Sequence, residues 1–313
     1  MTNVDFMGKA KLFGLISAVL FAGSILAMVT IGLRPGIDFT GGIQLTLLYP
    51  PGTPVSTQTV RSYVAQALGA RAASAPYYVQ NITAERDVPE GGRQPLPGVV
   101  VTVRTEDKTV AENLRKALLF PPANSGLPTP LEHSLTEIGG QVSREIVNRA
   151  WQAVLVALAA MLIYIAVRSR LRYGVAAVLA LVHDVVLTLG VFSVFRLEIN
   201  LPVIAALLMV VGYSINDTIV VFDRIRENLR LSKKASLWEV INRSVNQTLT
   251  RTLNTSSTTL LPIIVLLAVA GIALREFTVA MACGVIFGTY SSVFIASPIL
   301  YGWVRVAEKL KAR

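Results

Sequence analysis

LPVIAALLMVVGYSINDTIVVF, residues 201–222, holds one charged side chain, Asp217, in an otherwise uncharged run. As a helix rising about 1.5 Å per residue, it reaches across the roughly 30 Å of hydrocarbon in a bilayer. The stretch therefore reads as a membrane span. Five further runs share the property, at about 12–33, 150–167, 173–195, 256–274 and 278–303.

The composition agrees. The 313 residues are 53% hydrophobic and only 15% charged, with a mean hydropathy of +0.57. A soluble domain carries about 25% charged residues. The net charge of +10 would suit a nucleic-acid binder, but the basic residues sit in short clusters beside the apolar runs. No basic surface is interleaved with aromatics, so nucleic acid is excluded as a partner and the lipid bilayer is the medium. Leu12–Leu33, preceded by Lys9 and Lys11, competes with a signal-peptide reading. At about 20 residues it is too long for a signal core and reads as an uncleaved anchor. The one cysteine, Cys283, lies in an apolar run and permits no intrachain disulfide.

Six spans put both termini on one side. With that side cytoplasmic, the inside segments carry Lys9 and Lys11; Arg168, Arg170 and Arg172; Arg224, Arg226, Arg230, Lys233, Lys234, Arg243 and Arg251; and Arg305, Lys309, Lys311 and Arg313. The two short outside loops hold only Arg196 and Arg275. The positive-inside bias sets the orientation. The expected domains are 1–33 as tail and first span, 34–148 as an extracytoplasmic domain, and 149–313 as five spans with a cytoplasmic loop at 223–255.

Residues 34–148 are polar enough to fold in water. Ile43–Tyr49, Tyr77–Thr83, Gly98–Arg104 and Leu131–Ile138 read as strands. Thr57–Ala70 and Asp107–Phe120 have helical spacing, and Glu90–Gly98 reads as a hairpin-like turn. The order β-α-β-β-α-β is that of a ferredoxin-like unit. The fold class is thus a polytopic α-helical membrane protein with six transmembrane helices and one α+β ferredoxin-like extracytoplasmic domain. His133 is the only histidine of that domain, and no nucleophile–base pair, phosphate loop or metal-ligand cluster is legible. Neither catalysis nor a cofactor or metal is expected.

Five motifs stand out. Gly36-Ile-Asp-Phe-Thr-Gly-Gly42 follows the first span. Gly36, Gly41 and Gly42 permit unusual backbone, while Asp38 and Thr40 can bond nearby amides, so the motif aims the chain into the first strand. In 211–228, Asp217 is a carboxylate at membrane depth, a functional hypothesis by default. Tyr213 and Ser214 share its helix face, with Asn216 beside it, and Asp223 reads as a solvated partner of Arg224 and Arg226. Arg251, Asn254, Thr255 and Thr258 form a polar stripe entering the fifth span. Arg251 and Asp217 lie near the inner ends of antiparallel spans, where an arginine favours the charged carboxylate and burial opposes it. That suits a proton switch; the alternatives are a static ion pair and a snorkelling arginine. His183-Asp184 in the third span suits either a proton path or a cross-helix hydrogen bond. Gly284, Gly288, Ser292 and Ala296 recur every fourth residue as a close packing face.

GIDFTGG at 36–42, HD at 183–184, GYSINDTIVVFDRIREN at 212–228 and RTLNTSSTTL at 251–260 together resemble the SecF family, the smaller membrane subunits of bacterial SecD–SecF complexes in the resistance-nodulation-division superfamily. The resemblance covers essentially the whole chain. It implies a proton-driven aid to export through the SecYEG channel and pairing with a SecD-like subunit. It further implies a translocating polypeptide as client, YajC as a possible neighbour, and a cytoplasmic-membrane location. The family's transmembrane aspartate and arginine fall on Asp217 and Arg251. Six spans and a single GIDFTGG look like one half of a twelve-span superfamily transporter. A half-transporter of small molecules or lipids and a non-transporting Sec scaffold are the rival expectations.

The orientation is testable in a Cys283→Ser background. His133→Cys should react with a membrane-impermeant maleimide added outside intact cells, and Lys234→Cys only after the membrane is opened. The opposite pattern would reverse the topology.

Overall fold

Residues 4–69, 75–87, 93–105, 107–122, 125–168, 171–232, 234–269 and 274–311 are described by the structure, a computed structural model. Among the expectations above, Ala70, the turn residues up to 92, Arg170, Lys233, Arg313 and part of the fifth run, 270–273, lie outside the described residues. In chain order the main elements are α1 (Ala10–Thr30), β1 (Gly42–Leu48), α2 (Thr57–Leu68), β2 (Tyr77–Asp87), β3 (Arg93–Val103), α3 (Lys108–Leu119), β4 (Glu132–Ile138), α4 (Gly140–Arg168), α5 (Leu171–Val194), α6 (Leu201–Leu231), α7 (Leu237–Val269), α8 (Arg275–Ser291) and α9 (Ser297–Lys311), with a π turn at Ser292–Ala296. The chain forms two compact units: a sheet unit, Pro35–Trp151, and a helical unit of Met1–Arg34, Gln152–Ala270 and Leu274–Arg313.

In the sheet unit the order is β2-β3-β1-β4, every neighbour antiparallel. This is the ferredoxin-like arrangement expected from the element order. Alternation decides which face is buried. Ile43, Leu45 and Leu47 of β1 and Val99, Val101 and Val103 of β3 point to one side, where they meet Val60, Val64 and Leu68 of α2 and Leu114 and Leu118 of α3. Both helices start on side-chain caps. Ser56 accepts from the Gln58 amide and Asp107 from the Thr109 amide. Tyr49 closes the core, and burial pushes its phenol up to about 12, so it stays neutral.

One expectation is corrected here. Residues 93–98 of the expected turn are strand, not turn: β3 begins at Arg93 and pairs with β2 as far out as Asp87↔Arg93. Pro95 and Pro97 disguise it. They are tolerated because β1 pairs with β3 only from Gly98 onward, so the prolines' missing N–H groups fall where that partner has ended.

Gly36 caps a single helical turn, Ile37–Thr40, with Asp38 in its first turn. The turn ends on Gly41 (φ +68°) and Gly42 (φ +128°), which feed β1. A Cβ on Gly42 would stand 2.2 Å from the Val103 carbonyl oxygen. That distance, added to a φ which L residues avoid, makes glycine obligatory here.

Among the described residues, five helical segments are long and apolar enough to cross a membrane: Ala10–Thr30, Arg172–Val194, Leu201–Leu231, Leu237–Val269 and Arg275–Ala307. The remaining expected run, 150–167, lies in the 29-residue α4, some of whose side chains are outside the described set. α6 begins on Asn200, which caps the Val203 amide, with Pro202 in its first turn. The segment 223–255, read from the sequence as a loop, is almost wholly helical, since α6 continues to Leu231 and α7 starts at Leu237. A capping box turns the chain between them. The Ser236 hydroxyl accepts from the Glu239 amide at 3.3 Å, and the Glu239 carboxylate accepts from the Ser236 amide at 3.0 Å. Phe222 and Ile225 on α6 and Ile241 and Val245 on α7 join one buried cluster. Asn228 donates to Ser244 and Gln247, both at 2.8 Å.

Gly42→Ala is expected to destabilise the sheet unit by about 3 kcal/mol or more, the range of backbone strain combined with overpacking. Gly52→Ala, at positive φ but facing open space, should cost about 1 kcal/mol. Hydrogen exchange of the sheet amides in the full chain would rank the two, and equal small effects would show that the Gly42 backbone relaxes freely.

Candidate functional site

Two carboxylates lie inside the helical unit in unlike surroundings. Asp184, on α5, is fully buried. Its Oδ2 accepts from the hydroxyls of Ser214 on α6 and Ser291 on α8, each at 2.7 Å, and its Oδ1 lies 3.0 Å from His183 Nδ1. Three helices thus converge on one side chain whose acceptor capacity is largely used. The His183 ring stacks with Phe21 and Tyr290, centroids 6.2 and 6.4 Å away. Its Nε2 is buried with no hydrogen-bond partner among the described residues.

Asp217 lies three residues after Ser214 on α6, 3% exposed. Its Oδ2 is buried and has no hydrogen-bond partner among the described residues. The groups that act on it are the Arg251 guanidinium, through its charge, and the Ser256 hydroxyl, both from α7. Ser256 is itself a junction: Tyr213 Oη donates to it at 3.1 Å, and its Oγ stands 2.6 Å from Thr289 Oγ1 of α8. A line of hydroxyls therefore runs from α6 through α7 to α8 beside Asp217.

The expected residues separate into inward and outward sets. Tyr213 and Ser214 both face inward but serve different partners, Ser256 and Asp184. Asn216, Arg251, Asn254 and Thr258 are exposed, and Thr255 is half-buried. The stripe read from the sequence is thus the outer face of α7, and Thr252, Ser256 and Ile263 form its inner face. The Thr255 and Thr258 hydroxyls bond back to the carbonyls of Arg251 and Asn254, both at 2.9 Å. Asp223 bonds Arg226 at 3.2 Å, on the helix beyond the apolar run.

The small-residue face on α8 lies against α6. A Cβ on Gly284 would come 2.1 Å from Val210 Cγ2, and one on Gly288 would come 3.0 Å from Ser214 Cβ. Close approach at Gly288 is what brings Ser291, one turn on, to the carboxylate that also binds Ser214. Ser292 and Ala296 are buried in the π turn. Sequence reasoning missed Ser256, Thr289 and Ser291. The signal for Thr289 and Ser291 was present in Thr289-Tyr-Ser-Ser292, four hydroxyls inside an apolar run, and that for Ser256 in the polar stretch 254–259, but a hydroxyl alone does not tell a polar site from a helix that satisfies its own backbone.

The residues 127–306 match the family described as protein export membrane protein SecD/SecF, C-terminal, and residues 26–49 match the SecD/SecF GG motif. The protein translocase subunit SecF of Petrotoga mobilis is 36% identical over 99% of both chains. That of Desulfurispirillum indicum is 39% identical over 96% of this chain and 91% of its own. The translocase subunit SecDF of Thermus thermophilus is 36% identical over 96% of this chain but only 38% of its own length. The crystal structure of SecDF, a translocon-associated membrane protein from the same organism, superposes with a TM-score of 0.80 at 34% identity. It covers 97% of this chain and 39% of that one.

The close crossing of α6 and α8 is open to test. Gly284→Ala should cost about 1–3 kcal/mol by overpacking, and Val210→Ala in the same chain should recover most of it. Melting of the purified protein in detergent measures both; equal losses in the single and double variants would show that Val210 is not what Gly284 makes room for.

Proposed function

Given that this chain belongs to the SecD/SecF family of protein export membrane proteins, we propose that Asp217 is the group through which it takes up and releases protons to drive protein translocation. Membership carries a part in protein translocation within a SecD–SecF complex, as a multi-pass protein of the inner membrane. To this we add proton coupling and action at the SecYEG channel, with YajC as a neighbour. We also add an orientation that puts both termini in the cytoplasm and Pro35–Trp151 outside.

The observation that carries the reading is the Oδ2 of a buried Asp217, which has no hydrogen-bond partner among the described residues. A carboxylate with open acceptor capacity at membrane depth is costly while charged and cheap once protonated. Arg251 and Ser256 oppose that cost, so a small displacement of α7 tips the balance. Proton occupancy and the position of α7 are then two descriptions of one equilibrium. Asp184 has the opposite character. Its acceptor capacity is largely used, and it serves as the anchor that fixes Ser214 and hence the height of Asp217, with His183 as its hydrogen-bond partner.

The outward polar face of α7 supports a partner at this place. Arg251, Asn254 and Thr258 facing lipid would be expensive, and such residues in membrane helices face protein or water. A SecD-like half, present in the same chain in the Thermus thermophilus relative, covers that face in our reading. Emerging polypeptide would then be held or released by the sheet unit as the helices move.

The test is precursor transport into inverted vesicles that carry this chain and its SecD-like partner, with and without a proton gradient. Wild type should gain from the gradient. Asp217→Asn, assembled to the same level, should transport at the rate seen without it. Equal gains in both would place proton coupling elsewhere.

A further inference from the structure

The chain does not run free before α1. Val4, Phe6 and Met7 are held by two side chains of α7, Asn242 and Asn246, one helical turn apart. Asn242 Oδ1 accepts the amides of Phe6 at 2.8 Å and Met7 at 3.1 Å, and Asn246 Oδ1 accepts that of Val4 at 2.9 Å. Both Nδ2 groups donate to the Val4 carbonyl, at 3.3 and 2.8 Å. Five bonds therefore hold the backbone of three residues, Val4, Phe6 and Met7, whatever their side chains. Phe6 and Met7 are also buried, at 8% and 2% exposure, and the Phe6 ring meets Phe294 of the π turn at 5.7 Å. The Ala10 amide bonds the Met7 carbonyl at 3.1 Å, so α1 starts directly from the clasped segment.

The two ends of this connection differ in what they lead to. On α7, Asn246 precedes Arg251 by five residues, about 7.5 Å of continuous helix. On the other side, α1 runs to Thr30 and the chain enters the sheet unit at Pro35. We propose that Asn242 and Asn246 are positioning residues that make residues 4–8 a strap between α7 and α1, so that a shift of the Arg251-bearing helix is delivered to the helix that leads into the sheet unit. The inference rests on the proton-coupling reading of Asp217 given above.

The vesicle assay tests it with four chains in parallel: wild type, Asp217→Asn, the pair Asn242→Ala with Asn246→Ala, and a chain with Gly-Ser-Gly inserted between Gly8 and Lys9. The insertion keeps the clasp but slackens the strap. Both strap variants should keep their gradient-independent transport and lose the gradient-dependent gain at least about five-fold, the lower end of ordinary couplings between sites. If wild type gains, Asp217→Asn does not, and the insertion variant keeps the full gain, the asparagines merely anchor the terminus and the strap is wrong while the coupling reading survives. If wild type shows no gain, both fall together. A second arm leaves the clasp unaltered and is immune to misfolding there. Asp217→Asn should change hydrogen exchange at the Phe6 and Met7 amides relative to wild type, and unchanged exchange overturns the strap.

Discussion

An ionised oxygen in hydrocarbon must either find donors or give up its charge, and the helical unit is organised around that constraint. Asp184 meets it by accumulation, with two serine hydroxyls and an imidazole nitrogen from three helices on one carboxylate. Gly288 stands opposite Ser214, where only a small residue lets α8 come near enough for Ser291 to reach. Asp217, less than one turn beyond Ser214 on α6, has an oxygen with no hydrogen-bond partner among the described residues. Breaking the first arrangement would strand a buried polar group, whereas in the proton-coupling reading the second is the group that changes state. In that reading a fixed carboxylate sets the position of a labile one.

The hydroxyl line from Tyr213 through Ser256 to Thr289 extends this logic to α7. Ser256 and Thr289 also lie within bonding distance of carbonyls of their own helices, Thr252 at 2.8 Å and Val285 at 2.7 Å, so each hydroxyl proton has a second acceptor to turn to by rotation alone. An amide or a second carboxylate would fix the direction of its bonds. The use of Ser, Thr and Tyr where α7 faces α6 and α8 fits a contact that holds in more than one electrostatic state.

Much of this was legible in the residues. Apolar runs of spanning length do not depend on tertiary detail. Alternation in Ile43–Leu48 and Val99–Val103 could be read directly, because one face of each strand is dry and the other is not. What escaped depended on partners. Phe222, Ile225, Ile241 and Val245 are buried at helical spacing among charged residues, so a search for unbroken apolar runs passes over the helical hairpin beyond the membrane-length stretch. Pro95 and Pro97 mark a turn unless it is known that β1 has already ended. The inner face of α7 could not be singled out, because every residue from Asn254 to Thr259 is polar and the stripe through Arg251 is only one of the faces available. Asn242 and Asn246 carry no signal at all, since the backbone groups they clasp before α1 lie more than 230 positions away.

The back-bonded threonines of α7 bear on how the chain lives before it is assembled. Thr255, Thr258 and Thr259 each close their hydroxyl onto a carbonyl of their own helix. The outward face still carries Arg251, Asn254 and Ser257, all exposed, and a long arginine can reach toward the headgroups. The three threonine hydroxyls stay satisfied whether or not anything covers the face, so a copy of this helix that has yet to meet a partner does not unravel there.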